Sequence, residues 1–236
     1  MLNAMLIVER LLISDRLSVR LVRLFAGLFA YGLAIALILR AGLGASPWDV
    51  FGQGVGATFG VSFGTATILI SVVVLLFWIP LRQRPGWGTL ANALLVGVFA
   101  DLNLAALPAA TALPLWAPLA QAAFLGLGLI LLALASALYI GAGLGPGPRD
   151  GLMTGIVSRT GWPVWVVRSG IEVSATVAGW FLGGTVGLGT AVFAFGIGPL
   201  IQIALRLLRV DLAKASGRAR GQIASAEEPV SGVAVR

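Results

Sequence analysis

Apolar residues fill six stretches of the chain, about 21–41, 62–81, 88–107, 115–140, 163–183 and 188–208, each near the roughly 20 residues that cross about 30 Å of hydrocarbon. Glycine, proline and charged residues collect between them. The pattern predicts an all-α polytopic membrane protein with six transmembrane helices. Two pieces fit neither a span nor a plain loop: Ser46-Pro47-Trp48-Asp49 to Gly60, and Gly147-Pro148-Arg149-Asp150 to Gly161. Each is about 13 residues, or about 20 Å as a helix. Short re-entrant or interfacial helices are the expectation for both, because full crossings would make eight spans and carry Arg82, Arg84 and Arg149 outside.

The same pattern occurs twice. Ala41-Gly42-Leu43-Gly44…Pro47…Asp49 returns as Ala142-Gly143-Leu144-Gly145…Pro148…Asp150, a displacement of 142 − 41 = 101 positions without a gap. Gly27-Leu28, Gly54, Gly60 and Gly86…Gly88-Thr89 recur at that offset as Gly128-Leu129, Gly155, Gly161 and Gly187…Gly189-Thr190. The match runs from about residue 24 to 98 against 125 to 199. Three spans per copy is an odd number, so the second copy starts on the opposite side of the membrane and the repeats are expected to be inverted. Many transporters alternate access by rocking such repeats against each other. The chain then divides into a cytoplasmic amphipathic segment 1–20, a membrane repeat 21–107, a second repeat 115–208 and a disordered cytoplasmic tail 209–236.

Composition narrows the chemistry. The 236 residues are 58% hydrophobic and 11% charged, with a mean hydropathy of +0.99. With Cys 0 and His 0, disulfides, thiolate nucleophiles, imidazole bases and Cys/His zinc sites are excluded. No catalytic residue, cofactor or metal is expected, and proton chemistry falls to carboxylates. The net charge of +7 is scattered among loops and tails, which reads as membrane topology rather than a nucleic-acid patch. With the N-terminus in the cytoplasm, every Lys and Arg lies inside except Arg40, outside, and Arg168, within a span. Both termini are therefore expected in the cytoplasm, with no removable signal peptide.

The paired motif has a structural account and a functional one. Ser46 or Gly147 suits the N-cap, Pro47 or Pro148 the first helical position, and Asp49 or Asp150 the free N–H groups of the first turn. Gly42, Gly44, Gly143 and Gly145 allow close backbone approach, and Gly88 and Gly189 open the last spans as packing residues. Against capping alone, helix N-termini at breaks in a membrane fold attract anionic groups, so Ser46, Trp48, Asp49, Arg149 and Asp150 are substrate or ion candidates. Trp48 and Arg149 hold equivalent places, and Arg149 either grips a carboxylate or phosphate or sits at the cytoplasmic interface, the simpler account. Asp49 and Asp150 are not expected to form an aspartyl dyad if the repeats are inverted and both stay near their loop ends, because they then face opposite sides. Arg168 and Glu172 are four apart on the fifth span and can pair, yet the first copy has Thr67 and Ser71 there. Charge is thus not required by the fold, and Glu172 is the candidate coupling carboxylate, with Arg168 its modulator or an anion contact.

Gly44…Ser46-Pro47-Trp48-Asp49, Gly145-Pro-Gly-Pro-Arg149-Asp150-Gly151, Arg168…Glu172, Gly179-Trp180-x-Leu182-Gly183-Gly184 and Gly187-x-Gly189-Thr190 together resemble the YczE/YyaS/YitT family of bacterial integral membrane proteins. The likeness covers about residues 20–208 and is closest to the YczE branch, since the long soluble C-terminal domain typical of YitT members is missing. It implies a polytopic protein of the bacterial cytoplasmic membrane and carries no substrate with it. The residues themselves point to a small secondary transporter or exporter of a small solute, an anion in one reading, with the lipid bilayer and that solute as partners. A homodimer is compatible with this. The alternative is a non-transporting scaffold or accessory subunit of a biosynthetic or export system, which needs no polar cavity.

Overall fold

The computed structural model describes residues 16–112, 117–208 and 210; most of the expected amphipathic segment and almost all of the expected tail lie outside them. Eight α-helices and one short 3-10 turn make up the described regular structure, with no strand among the described residues. The first four are α1 (Leu17–Ala41), α2 (Pro47–Phe59), α3 (Phe63–Leu81) and α4 (Trp87–Ala106). Then follow α5 (Ala117–Gly141), α6 (Pro148–Thr160), α7 (Val164–Phe181) and α8 (Leu188–Leu207). The starts of α2 and α6 differ by 148 − 47 = 101 positions, as do their ends by 160 − 59 = 101.

Local chemistry sets these bounds. The Ser46 hydroxyl accepts from the Asp49 N–H at 3.3 Å, Pro47 opens α2, and Gly60 ends it in the left-handed region at φ 66°. In α6 Gly147 holds the N-cap place without a side-chain bond, Pro148 opens the helix, and Gly161 ends it in the left-handed region at φ 70°. At 13 residues, or about 20 Å, neither α2 nor α6 reaches across the hydrocarbon. Five helices, α1, α3, α4, α5 and α8, are long and apolar enough to cross a membrane. The sixth expected span, α7, has 18 residues, and Arg168 and Glu172 lower its hydropathy below that of the others. The boundary expected between residues 20 and 21 is not a break: α1 runs through it, because Arg20 is buried and donates to the carbonyls of Ala142 and Gly143 at 2.8 and 2.7 Å.

Helices α1 and α5 form the central pair. A Cβ on Gly27 would stand 2.9 Å from the Tyr139 nitrogen, and one on Gly128 would stand 2.6 Å from Ile38 Cγ1. An early residue of each helix thus meets a late residue of the other, so the two run antiparallel. Leu28, Ile35, Ile38, Leu129 and Leu132 are buried along this seam. Helix α4 packs on α1 and α8 on α5, while the short helices cross between copies, α2 against α7 and α6 against α3. In the second crossing the buried Trp78 indole lies over Gly151 and donates to the Pro148 carbonyl at 3.0 Å.

The Gly-Leu-Gly loops clamp the copies together. The Gly189 N–H donates to the Leu43 carbonyl at 2.7 Å and, reciprocally, the Gly88 N–H donates to the Leu144 carbonyl at 2.8 Å. The Thr89 hydroxyl adds a bond to the Pro146 carbonyl at 2.7 Å. Gly44, at φ 106°, comes so close that a Cβ there would lie 2.6 Å from the Gly187 nitrogen. Only glycine suits that combination of positive φ and backbone contact.

One seam is closed in the first copy and absent in the second. Between α3 and α4, a Cβ on Gly64 would lie 2.2 Å from the Gly97 carbonyl oxygen, and Asp101 accepts from the Gly64 N–H at 2.7 Å and the Ser62 hydroxyl at 2.5 Å. The equivalents 101 positions on are Trp165, Gly198, Gln202 and Pro163, which cannot rebuild those bonds. Helices α7 and α8 are not packed together, and nothing approaches within 4 Å of a Cβ on Gly198.

Candidate functional site

A cavity of about 260 Å³ lies where the copies meet. Its walls come from the starts of α2 and α6 (Ser46, Trp48, Arg149, Asp150), from α1 and α5 (Tyr31, Tyr139) and from α7 and α8. The two helix starts therefore converge rather than facing opposite sides as the sequence suggested. The Arg149 guanidinium carbon lies 5.0 Å from the centroid of the Trp48 ring, within cation–π range.

The acids near this cavity are each engaged. The Ser46 hydroxyl donates to Asp49 Oδ2 at 2.5 Å, and the Tyr139 hydroxyl donates to Asp150 Oδ2 at 3.1 Å. Glu172 Oε1 accepts from Arg168 Nε at 3.0 Å. Asp49 is 2% exposed and its second oxygen, Oδ1, has no hydrogen-bond partner among the described residues. Tyr31 and Tyr139 meet edge to face with centroids 6.1 Å apart, which holds the Tyr139 ring at Asp150.

Arg149 differs from the acids. Among the described residues its guanidinium makes no hydrogen bond and no salt bridge; it lies against the Trp48 ring, within electrostatic reach of the buried Asp49 and Asp150. An arginine offers five N–H donors in a planar fork that matches carboxylate or phosphate oxygens. Held over an indole at the edge of a cavity, it can take the head of an anion without first breaking a hydrogen-bonded ion pair.

Of the residues singled out in the sequence, the cavity gathers Ser46, Trp48, Arg149, Asp150, Arg168 and Glu172, with Pro47 and Pro148 in its wall. Asp49 stands one residue behind that wall, buried. Gly42, Gly44, Gly143, Gly145, Gly88 and Gly189 serve the loops and the clamps. Sequence reasoning missed Tyr31, Asn92, Ser136 and Tyr139, all of which line the cavity. A signal existed: each is a polar side chain inside a span whose equivalent in the other copy is apolar, Leu132, Phe193, Ile35 and Ile38.

These features define a helical, membrane-embedded protein of two repeated units around a polar cavity. The chain belongs to the family of unknown function DUF6198, whose model matches residues 18–206. It is 40% identical over 177 residues to an uncharacterized protein of Haemophilus influenzae, covering 75% of this chain and 79% of that one. It is 34% identical over 183 residues to the uncharacterized membrane protein YczE of Bacillus subtilis, covering 77% and 83%. No solved structure matches the chain.

Proposed function

We propose that this protein is a small secondary transporter or exporter of an anionic solute, working as an inverted repeat in the cytoplasmic membrane with both termini inside. The observation that carries the proposal is Arg149, seated on Trp48 in the inter-copy cavity with no acceptor among the described residues. The antiparallel pairing of α1 with α5 supports inversion, since these are the equivalent helices of the two copies. Glu172, in the cavity wall with Arg168, serves as the carboxylate that couples transport to protons or another cation. An open polar cavity is what transport needs and a scaffold does not, so the accessory-subunit reading has the weaker support.

The test is uptake of labelled inorganic phosphate and propyl phosphate by vesicles carrying the full chain. Uptake above that of empty vesicles, lost in Arg149→Gln at equal protein content, is the expected result. No uptake of either anion, or uptake indifferent to Arg149→Gln, would overturn the proposal.

A further inference from the structure

The cavity is not closed on its α7–α8 side. Thr67 and Ser71 on α3 are 4% and 8% exposed, whereas Arg168 and Glu172, their equivalents on α7, have side chains 52% and 32% exposed. The exposed pair belongs to the cavity wall, so the mouth lies where the second copy lacks the Gly64–Gly97 seam. Trp165 in place of Gly64 prevents the same close approach, so the gap is written into the sequence rather than being one phase of a symmetric cycle. An opening between two long helices of a membrane fold faces sideways, toward acyl chains.

Size and wall chemistry say what would use it. At about 260 Å³, the cavity has room for a carboxylate or phosphate head with a short stem. The α8 wall leading outward presents Phe193, Ile197 and Ile201, with Ile171 opposite on α7. Arg168 and Glu172 at the mouth pair with each other, leaving Arg149 as the cavity-lining cation that makes no hydrogen bond or salt bridge among the described residues. Resting on the reading of the site as anion-binding, we infer that its substrate is an anionic amphiphile: the head lies against Arg149 and the hydrocarbon chain passes between α7 and α8 into the bilayer.

The experiment uses the full chain in dodecyl maltoside, where a neutral amphiphile is already in excess and a tail alone gains nothing. Native mass spectrometry follows binding of dodecyl phosphate and of propyl phosphate. One dodecyl phosphate per chain is expected, bound at least tenfold more tightly than propyl phosphate. Arg149→Gln should lose both ligands. The Cβ of Gly198 meets open space in the gap, so Gly198→Phe should fill it, removing the preference for the long chain while propyl phosphate still binds. Gly198→Ala should behave as wild type, and Gly198→Leu replaces the Phe variant if the latter does not melt cooperatively. Equal affinity for the two phosphates, or a long-chain preference that survives a folded gap-filling variant, overturns the amphiphile inference and leaves a small-anion site standing. Failure of both phosphates to bind, or binding untouched by Arg149→Gln, overturns the anion site as well.

Discussion

Trp48 and Arg149 stand 149 − 48 = 101 positions apart, the period of the internal repeat, and they touch, with the guanidinium carbon 5.0 Å from the indole centroid. The contact sets one apolar and one cationic residue of the two copies face to face. Replacing Trp48 by Ala should free the guanidinium from its platform while also loosening the Ile70–Val74–Trp78 cluster on which Trp48 packs. A partly desolvated cation–π contact is worth about 1–2 kcal/mol, so Trp48→Ala should weaken propyl phosphate binding roughly five- to thirtyfold in titration calorimetry. An affinity within twofold of wild type would remove the platform role.

Unequal seams predict unequal glycines. Gly97→Ala pushes a methyl group to within 2.5 Å of the Gly64 carbonyl, an overpacking that costs about 1–3 kcal/mol and should lower the melting temperature in detergent. Gly198→Ala at the equivalent position should melt as wild type does.

Trp78 and Gly151 form a large–small pair. Trp78→Ala should cost about 3–5 kcal/mol, because it empties a buried site and removes the indole's bond to the Pro148 carbonyl. A Cβ on Gly151 would lie 1.9 Å from the indole, so Gly151→Ala should be destabilising alone and milder when combined with Trp78→Phe. Additive losses in the double mutant would contradict the pairing.

The Arg168–Glu172 pair separates folding from coupling. Its partial exposure keeps the stability contribution to about 1 kcal/mol or less, so Arg168→Thr, Glu172→Ser and the double change should all be folded. If Glu172 couples transport, the double variant inserts normally and loses pH-dependent uptake. Full activity would remove Glu172 from that role and leave Asp49 and Asp150 as the carboxylates to test.

Topology is open to labelling, because the chain has Cys 0. Ala110 is buried, so Ala112→Cys is the better outside reporter, with Pro85→Cys as the inside one. Labelling of both from the same side would contradict the inverted arrangement.

The sequence exposed those parts of the fold that depend on local pattern. Six apolar stretches became helices, five of them long and apolar enough to cross a membrane, and the Ser/Gly-Pro-x-Asp signatures fixed the starts of α2 and α6 to the residue, because capping chemistry is local. What it could not give was where those starts go. The separation expected for Asp49 and Asp150 assumed that each helix start stays at its own loop end, whereas the cross-copy packing of α2 on α7 and α6 on α3 carries both to one cavity. Arg20 was legible as an interfacial charge and proved to be a buried donor to the Ala142 and Gly143 carbonyls, a partner more than a hundred residues away. The missing α7–α8 seam was latent in Trp165, which breaks the repeat at Gly64, but its effect needs the Gly64–Gly97 contact to be seen.

The reciprocal clamps also bear on how the chain is made. Leu43 accepts its hydrogen bond from Gly189, which is synthesised 189 − 43 = 146 residues later, roughly 7–30 s at 5–20 residues per second. Throughout that interval the first Gly-Leu-Gly loop stands in the membrane with its carbonyl unanswered, and α2 waits for α7. The nascent first half is therefore a client for whatever shields polar backbone during insertion, and two separately expressed halves should become protease-resistant only when made in the same cell.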